Sequence, residues 1–375
     1  MAVVLAINAG SSSVRLSLVA SDGEAARTLA TRHEEARLND RYSLLTRFLE
    51  THASEQPVAV AHRIVHGGTR FAKAVLLDGA VAQVLAELVP LAPLHTPEAL
   101  AWTQAVREVF GSSMPQICVF DTAFFAHLPK VASTYAIPTN LAERHGVRRF
   151  GFHGLAHRAM WRRWTQLRPD LPAGGRLISL QLGSGCSAAA IREGMPFDTS
   201  MGFSPIEGLV MSTRSGDIDP GLILHLQRVE ELDIEGTERL LDRQSGLQGL
   251  SGSTGDMRVL LERLEDPAAR LAIEVFCYRV RKYVGSYLAV LGGADGIVFG
   301  GGIGENSPSL RSACLSNLDA LGIVLDETAN RGAAGREAHI SSKQSRCDVR
   351  VLLVDEAGEM AREAAAFVDV RTRGL

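Results

Sequence analysis

The stretch VVLAINAGSSSVRLSL, residues 3–18, sets an apolar, β-branched run against an alternating one across a short Gly/Ser turn. Residues 3–7 are apolar at consecutive positions, whereas Val14, Leu16 and Leu18 alternate with Arg15 and Ser17 at a strand's period of two. A β-hairpin with a tight polar tip is expected. The plan returns at residues 177–191, LISLQLGSGCSAAAI, as apolar strand, Gly/Ser turn and small-residue strand. Setting Gly10 on Gly183 pairs Asn8 with Gln181, Ser11 with Ser184 and Ser13 with Cys186, 173 residues apart. So long a period, with one copy in each half, predicts two similarly built lobes rather than a solenoid of short repeats.

Outward from the hairpins, strands alternate with helices. Residues 59–65 and 116–120 read as strands, and 96–110 as a helix with Pro97 at a favourable starting position. Residues 268–291 read as a long amphipathic helix, with Leu271, Val275, Tyr278 and Val290 among its apolar positions and Gly292-Gly293 as its stop. Then come a buried strand at 296–299, GGGIGEN as a glycine turn, a helix at 307–321, a last strand at 349–354 and a helix from about 356 to 368. The class is α/β. With no low-complexity linker, the boundary between lobes of residues 1–148 and 149–356 is expected in an ordinary loop near Gly146 to Gly151, with the C-terminal helix (357–375) completing the first lobe.

Composition narrows the function. The 375 residues are 46% hydrophobic, enough to fill the cores of two ordinary domains, which excludes wholesale disorder. A formal net charge of −3 without a basic run excludes nucleic acid as an expected partner. The five cysteines are odd in number, scattered and in no CxxC pair, which suits free thiols in a reducing compartment. Nowhere do about 18 apolar residues run unbroken, and no cleavable leader pattern opens the chain. No membrane association and a cytoplasmic location are expected.

The Gly/Ser hairpin tips and the glycines at 300–304 offer backbone N–H groups that side chains do not shield, as a polyphosphate requires. Any one of them alone reads more readily as an ordinary tight turn; three together, each after an apolar strand, favour a nucleotide site. None continues into GK[ST], and GGGIGEN lacks the third glycine of a dinucleotide fingerprint. His62 and His66, like His153 and His157, are spaced four apart as zinc ligands on a helix would be. Ile64 and Val65 make the first pair strand-like, Gly154 weakens a helix at the second, and neither has the Glu of HExxH, so structural or phosphate-contacting histidines are favoured. Arg214 sits in MSTRSGDIDPG, which reads as a loop presenting an arginine or a solvated charge. Asp121 follows the apolar run ICVF, where a strand-end carboxylate can bind a metal or a substrate proton, or cap a helix. Asp256 and Arg258, in SGSTGDMR, bind a ligand or start a helix.

The segments NAGSSS, HRIVHGG, APLHTP, VFDTAF, RRFGFHG, DTSMG, TRSGDIDPG, SGSTGDMR and GGIGENS stand in the order found in acetate kinases. From residue 3 to about 362 the chain resembles the acetokinase family. The resemblance implies two duplicated ribonuclease H-like lobes of the actin/hexokinase/Hsp70 type with a nucleotide cleft between them, ATP as co-substrate, Mg2+ (or Mn2+), and a cytoplasmic homodimer. It implies reversible transfer of the ATP γ-phosphoryl group to acetate, giving acetyl phosphate and ADP. Arg63 then holds the carboxylate and the reacting phosphoryl group, Arg214 clamps the transition state from the other side, and His153 stabilises it. Asp121 matches the position of a catalytic acid or base; since acetate at neutral pH has no proton to give, it equally organises Arg63 or magnesium. Asn8 and Glu356 match the magnesium positions. Phosphate and adenosine contacts carry over to Gln181, Leu182, Gly183, Ser184 and Gly185, to Asp256, Met257 and Arg258, and to Gly302, Ile303, Gly304, Glu305 and Asn306. Val65, Leu94, Phe152 and Pro205 match the small acyl pocket.

Departures from the family pattern have consequences. The phosphate hairpin HLGNG reads QLGSG here, so Gln181 replaces a histidine and Ser184 an asparagine, and Arg15 stands for a lysine. Glu356 lies in LVDEAGEM where the family has a PTNEE-like stretch. Slower turnover or altered donor use is expected. The alternatives are a kinase of propionate or another short carboxylate, a pyrophosphate-dependent variant, and a catalytically weakened nucleotide-binding regulatory relative.

Overall fold

A computed structural model describes residues 1–10, 13–35, 40–52 and 54–372. The hairpin tip residues Ser11 and Ser12 and the end of the C-terminal segment lie outside the described residues. The chain forms two compact units. Unit 1 comprises Met1–Ala126, Phe152–Ala159 and the described residues from Asp355; unit 2 comprises His127–Gly151 and Met160–Val354. The chain thus passes between units after Ala126, Gly151, Ala159 and Val354, where the sequence suggests a change near 146–151 and a return after 356.

Unit 1 is built on a six-stranded sheet. Its strands are β1 (Ala2–Ala9), β2 (Ser13–Ser21), β3 (Ala26–Glu35), β4 (Ala59–Ile64), β5 (Val75–Leu76) and β6 (Gln116–Phe120), in the order β3-β2-β1-β4-β6-β5. Unit 2 holds β7 (Arg176–Leu182), β8 (Cys186–Arg192), β9 (Met195–Thr199), β10 (Gly296–Gly300), β11 (Ala338–His339) and β12 (Asp348–Val351), in the order β11-β12-β10-β7-β8-β9. Both sheets run antiparallel through the opening meander, parallel through the next two pairs and antiparallel at the last edge. The repeat seen in the two hairpins is therefore a duplication of the whole sheet. The hairpins differ by one residue in register, since Ala9 pairs with Val14 but Leu182 with Cys186.

The consecutive apolar residues of β1 are explained by cores on both faces of its sheet. Val4 and Ala6 join Val19, Ala61 and Val119 under Met360, Ala361 and Ala364 of the helix Glu356–Thr372. Leu5, Ile7 and Ala9 join Leu16, Leu18 and Val60 against Leu45 and Phe48 of the helix Arg41–Thr51 and Trp102 and Val106 of the helix Thr96–Phe110. Each large side chain so buried contributes about 1.5–3 kcal/mol.

Several expectations are corrected. The long helix spans Pro267–Leu291, capped by Asp266 and ended by left-handed Gly292. Its buried face is formed by Ala269, Ala272, Ile273, Phe276, Val280, Val284 and Tyr287, while Leu271 and Tyr278 are more than half exposed. GGGIGEN is not a turn but the helix Gly301–Asn306. The helix expected at 307–321 stops at Leu315, before Asn317 takes a φ of 62°, and only a 3-10 turn follows at Asp319–Leu321. Strand β12 ends at Val351, and the last helix runs on to Thr372. Gly154, read as weakening a helix, opens the helix Gly154–Leu167, because a Cβ there would overlap the Asp121 carbonyl oxygen.

Candidate functional site

Strands β1, β4 and β6 are parallel neighbours, so their C-terminal ends share one edge of the unit 1 sheet, where open α/β sheets bind ligands. Asn8 lies near the end of β1, Arg63 near the end of β4, and Asp121 directly after β6. Their side chains form one connected chain. The Arg63 guanidinium donates from Nε (3.0 Å) and Nη2 (2.6 Å) to Asp121 Oδ2 and from Nη1 to Asn8 Oδ1 (2.9 Å). Asn8 Nδ2 donates to Glu356 Oε2 at 2.6 Å, tying the first residue of the last helix to the first strand.

Asp121 is fully buried, and its Oδ1 has no partner among the described residues. Burial works against the charged Arg63 guanidinium, but Asp121 and then Glu356 more than offset it, so its pKa is raised. The result is a permanently charged, oriented fork at the sheet edge. Arg15 stands opposite Asn8 across the β1/β2 pair and is exposed.

His153 takes a left-handed φ of 56° immediately before the helix Gly154–Leu167, a conformation that costs a non-glycine residue about 1–3 kcal/mol and clusters at functional positions. Its carbonyl accepts from His157 N at 3.0 Å. Phe152 is buried and meets the His66 ring edge-on at 5.4 Å, Val65 is buried, and Leu94 is exposed. His66 Nδ1 accepts from Gly68 N at 2.9 Å. His62 Nε2 meets Gln116 Oε1 at 2.8 Å. Among the described residues no group of three or more His, Cys, Asp or Glu could hold a metal by itself.

His62 has a pH consequence. Burial pulls its pKa from 6.5 down to about 4. As pH falls, the unfolded chain therefore takes up this proton before the folded protein does. Its contribution to stability is whole above pH 6.5 and is lost between 6.5 and about 4, at up to about 1.4 kcal/mol per pH unit. Urea unfolding across that window should show a shallower loss for His62→Gln than for the unaltered protein; equal slopes would contradict this assignment.

Unit 2 holds a cavity of about 1040 Å³. Gly183 and Ser184 of the β7/β8 tip, Asp256, Met257 and Arg258, and Gly302, Ile303 and Asn306 line it. The tip is held from below, where Cys186 Sγ meets Gly183 O at 3.1 Å, and from the side, where Ser212 N donates to Ser184 O at 3.0 Å. Asp256 does cap the helix Met257–Leu261, and it also pairs with the otherwise exposed Arg258 at 2.6 Å. Gly185 and the buried Leu182 and Gly304 are not among the lining residues. Glu305 turns inward, its Oε1 accepting from Gly301 N (3.0 Å) and Val354 N (3.2 Å), and so braces the glycine segment. Gln181 Oε1 is buried and has no partner among the described residues.

Ser212, Gly255, Leu261, Glu262 and Ser307 also line the cavity and escaped sequence reasoning. Gly255 carried the one available signal, for a Cβ there would overlap the Ser212 carbonyl oxygen. Arg214 does lie in a loop, its Nε bonded to Asp242 Oδ1 at 2.7 Å. Pro205 is half-buried in the irregular segment before it. All five cysteines are free and buried, and no helix of the described residues is long and apolar enough to cross a membrane.

The acetokinase family profile matches residues 19–362. An acetate kinase of Solibacter usitatus (strain Ellin6076) is 45% identical over 313 residues, covering 83% of this chain and 76% of that one. The crystal structure of Porphyromonas gingivalis acetate kinase superposes with a TM-score of 0.87 at 34% identity, covering 98% of this chain and all of that one. A propionate kinase structure from Francisella tularensis subsp. tularensis SCHU S4 gives 0.89 at 33%, with 98% and 100% covered.

Proposed function

The chain belongs to the acetokinase family, and from that premise we propose that it transfers the γ-phosphoryl group of ATP to acetate, reversibly, as an acetate kinase. The observation that carries the reading is the Glu356–Asn8–Arg63–Asp121 chain at the sheet edge, half-buried and ending on the fully buried Asp121. In the transfer an acetate oxygen attacks the γ-phosphorus, the new O–P bond forms as the bond to the β,γ-bridging oxygen breaks, and ADP leaves. Such a transfer needs two anions in line and neutralisation of spreading charge, with little covalent work from the protein.

Arg63 fits the first need, because Asp121 and Asn8 fix its plane, and a guanidinium matches planar carboxylate and phosphoryl oxygens. Arg214, aligned by Asp242, is the second guanidinium assigned to the phosphoryl group. His153 is assigned to the same charge. Asp121 acts by orienting Arg63 rather than as an acid or base. The acyl methyl is assigned to Val65, Leu94, Phe152 and Pro205.

The residues present fit a divalent ion of the magnesium type, which holds one or two carboxylates plus substrate phosphates. Glu356 and the unpartnered Asp121 oxygen supply the carboxylates, while Asn8, whose amide oxygen already receives Arg63, positions Glu356. Bound Mg2+ would neutralise β- and γ-phosphate charge. The cavity of about 1040 Å³, with apolar Met257, Leu261 and Ile303 beside the glycine tips, has room for a nucleoside and favours ATP over pyrophosphate. The cytoplasmic location and the homodimer are part of the same proposal; exposed Leu222, Leu224, Val229 and Ile234 offer apolar surface for the second copy.

Incubation with ATP, Mg2+ and acetate, propionate or butyrate, with hydroxylamine as trap, tests the reading. Acetyl hydroxamate should dominate, with some propionyl product, since one methylene is worth only about 1–3 kcal/mol in an apolar pocket. Product from pyrophosphate instead of ATP, or none despite bound ATP, would refute it. Gln181 donates a hydrogen bond but carries no charge. Gln181→His with Ser184→Asn is therefore expected to raise turnover or change donor preference in this assay; no gain in rate and no change of donor would count against a role for the altered tip.

A further inference from the structure

Residues 200–219 contain no helix or strand, yet they carry both Pro205 and Arg214. An irregular segment keeps its shape only if specific partners satisfy its polar groups. Around Pro205 those partners converge on one carboxylate. Glu207 accepts the Tyr135 hydroxyl on Oε2 and the Arg149 Nη2 on Oε1. Tyr135 Oη accepts in turn from Phe203 N at 2.8 Å, and Arg149 Nη1 donates to the carbonyls of Thr199 (3.2 Å) and Ser200 (3.3 Å). Gly202 closes the arrangement, for a Cβ there would overlap both Glu207 Oε2 and Tyr135 Oη, and its carbonyl accepts from Phe150 N at 3.0 Å.

We infer that Tyr135, Arg149 and Glu207 are positioning residues that set the 199–207 segment, and with it Pro205, one of the residues assigned to the acyl methyl. The inference rests on the acetate kinase reading. The three side chains are assigned no contact with substrate and act through the backbone they hold. None of the three lines the nucleotide cavity, so a change at them is expected to spare ATP binding.

Tyr135→Phe removes one hydroxyl and keeps the ring, and Glu207→Gln removes the charge and keeps the shape. In both, the KM for acetate should rise about five- to tenfold while the KM for ATP stays within about twofold. The ratio of propionate to acetate turnover should change with it. In variants that remain folded, unchanged acetate KM, or equal rises for both substrates, overturns the inference. Hydrogen exchange on the same proteins reads the segment without turnover. Faster exchange confined to 199–208 is expected in Tyr135→Phe, and unchanged exchange there overturns the brace. An unaltered protein that forms no acetyl phosphate would refute the functional reading, leaving exchange to decide the brace.

Discussion

Replacing Arg63 with alanine is expected to lower kcat by about 10³-fold or more, the scale on which arginines stabilise phosphoryl-transfer transition states. The same change should cost stability, because Asp121, fully buried, would lose its ion-pair partner. Removing one member of a buried ion pair typically costs about 3–5 kcal/mol. Circular dichroism melting would read the second effect and the hydroxamate assay the first. Arg63→Lys should restore much of the stability and little of the rate, since one ammonium cannot donate together to Asp121, Asn8 and a substrate oxygen in the plane that the guanidinium occupies. Full activity in Arg63→Lys would show that charge alone suffices and that the fork is not used.

Arg214→Ala should also lower kcat by about 10³-fold, but with little loss of stability. Its partner Asp242 is 15% exposed rather than fully buried and has Arg243 within 3.9 Å, so its charge is not stranded when Arg214 goes. The contrast is diagnostic. Two arginines of equal catalytic weight should differ in melting temperature, and a large fall in both would mark Arg214 as structural. Binding of ATP, measured by calorimetry, should survive in either variant, because neither arginine lines the nucleotide cavity.

Much of this was legible in the chain. Both hairpins announced themselves by period and turn chemistry, and the two sheets duplicate the order those hairpins begin. Asp121 was visible as a carboxylate at the end of an apolar strand, since a strand end is a place that sequence can locate, whereas Arg63 entered only through the resemblance of HRIVHGG to the family. Glu356 was harder, because LVDEAGEM departs from the family pattern; its bond to Asn8 bridges 348 positions, which no local reading can supply. The Tyr135–Glu207 contact is of the same kind, joining residues 72 apart in segments without periodic pattern. Helix 267–291 misled for a different reason. Its apolar residues occupy more than one face, and tertiary contact buries the one carrying Ile273, Phe276, Val280, Val284 and Tyr287 rather than the one carrying Leu271 and Tyr278. Glu305 was expected at the ligand and instead satisfies two backbone donors, a demand that appears only once strand β10 and residue 354 are brought together.

The most direct measurement runs the reaction backwards. Acetyl phosphate, ADP and Mg2+ are mixed with the protein and followed by phosphorus NMR. The account predicts loss of the acetyl phosphate resonance in step with the appearance of the ATP β and γ resonances, at a rate abolished in Arg63→Ala and Arg214→Ala. Appearance of inorganic phosphate without ATP, or an ATP signal that both variants retain, would contradict it.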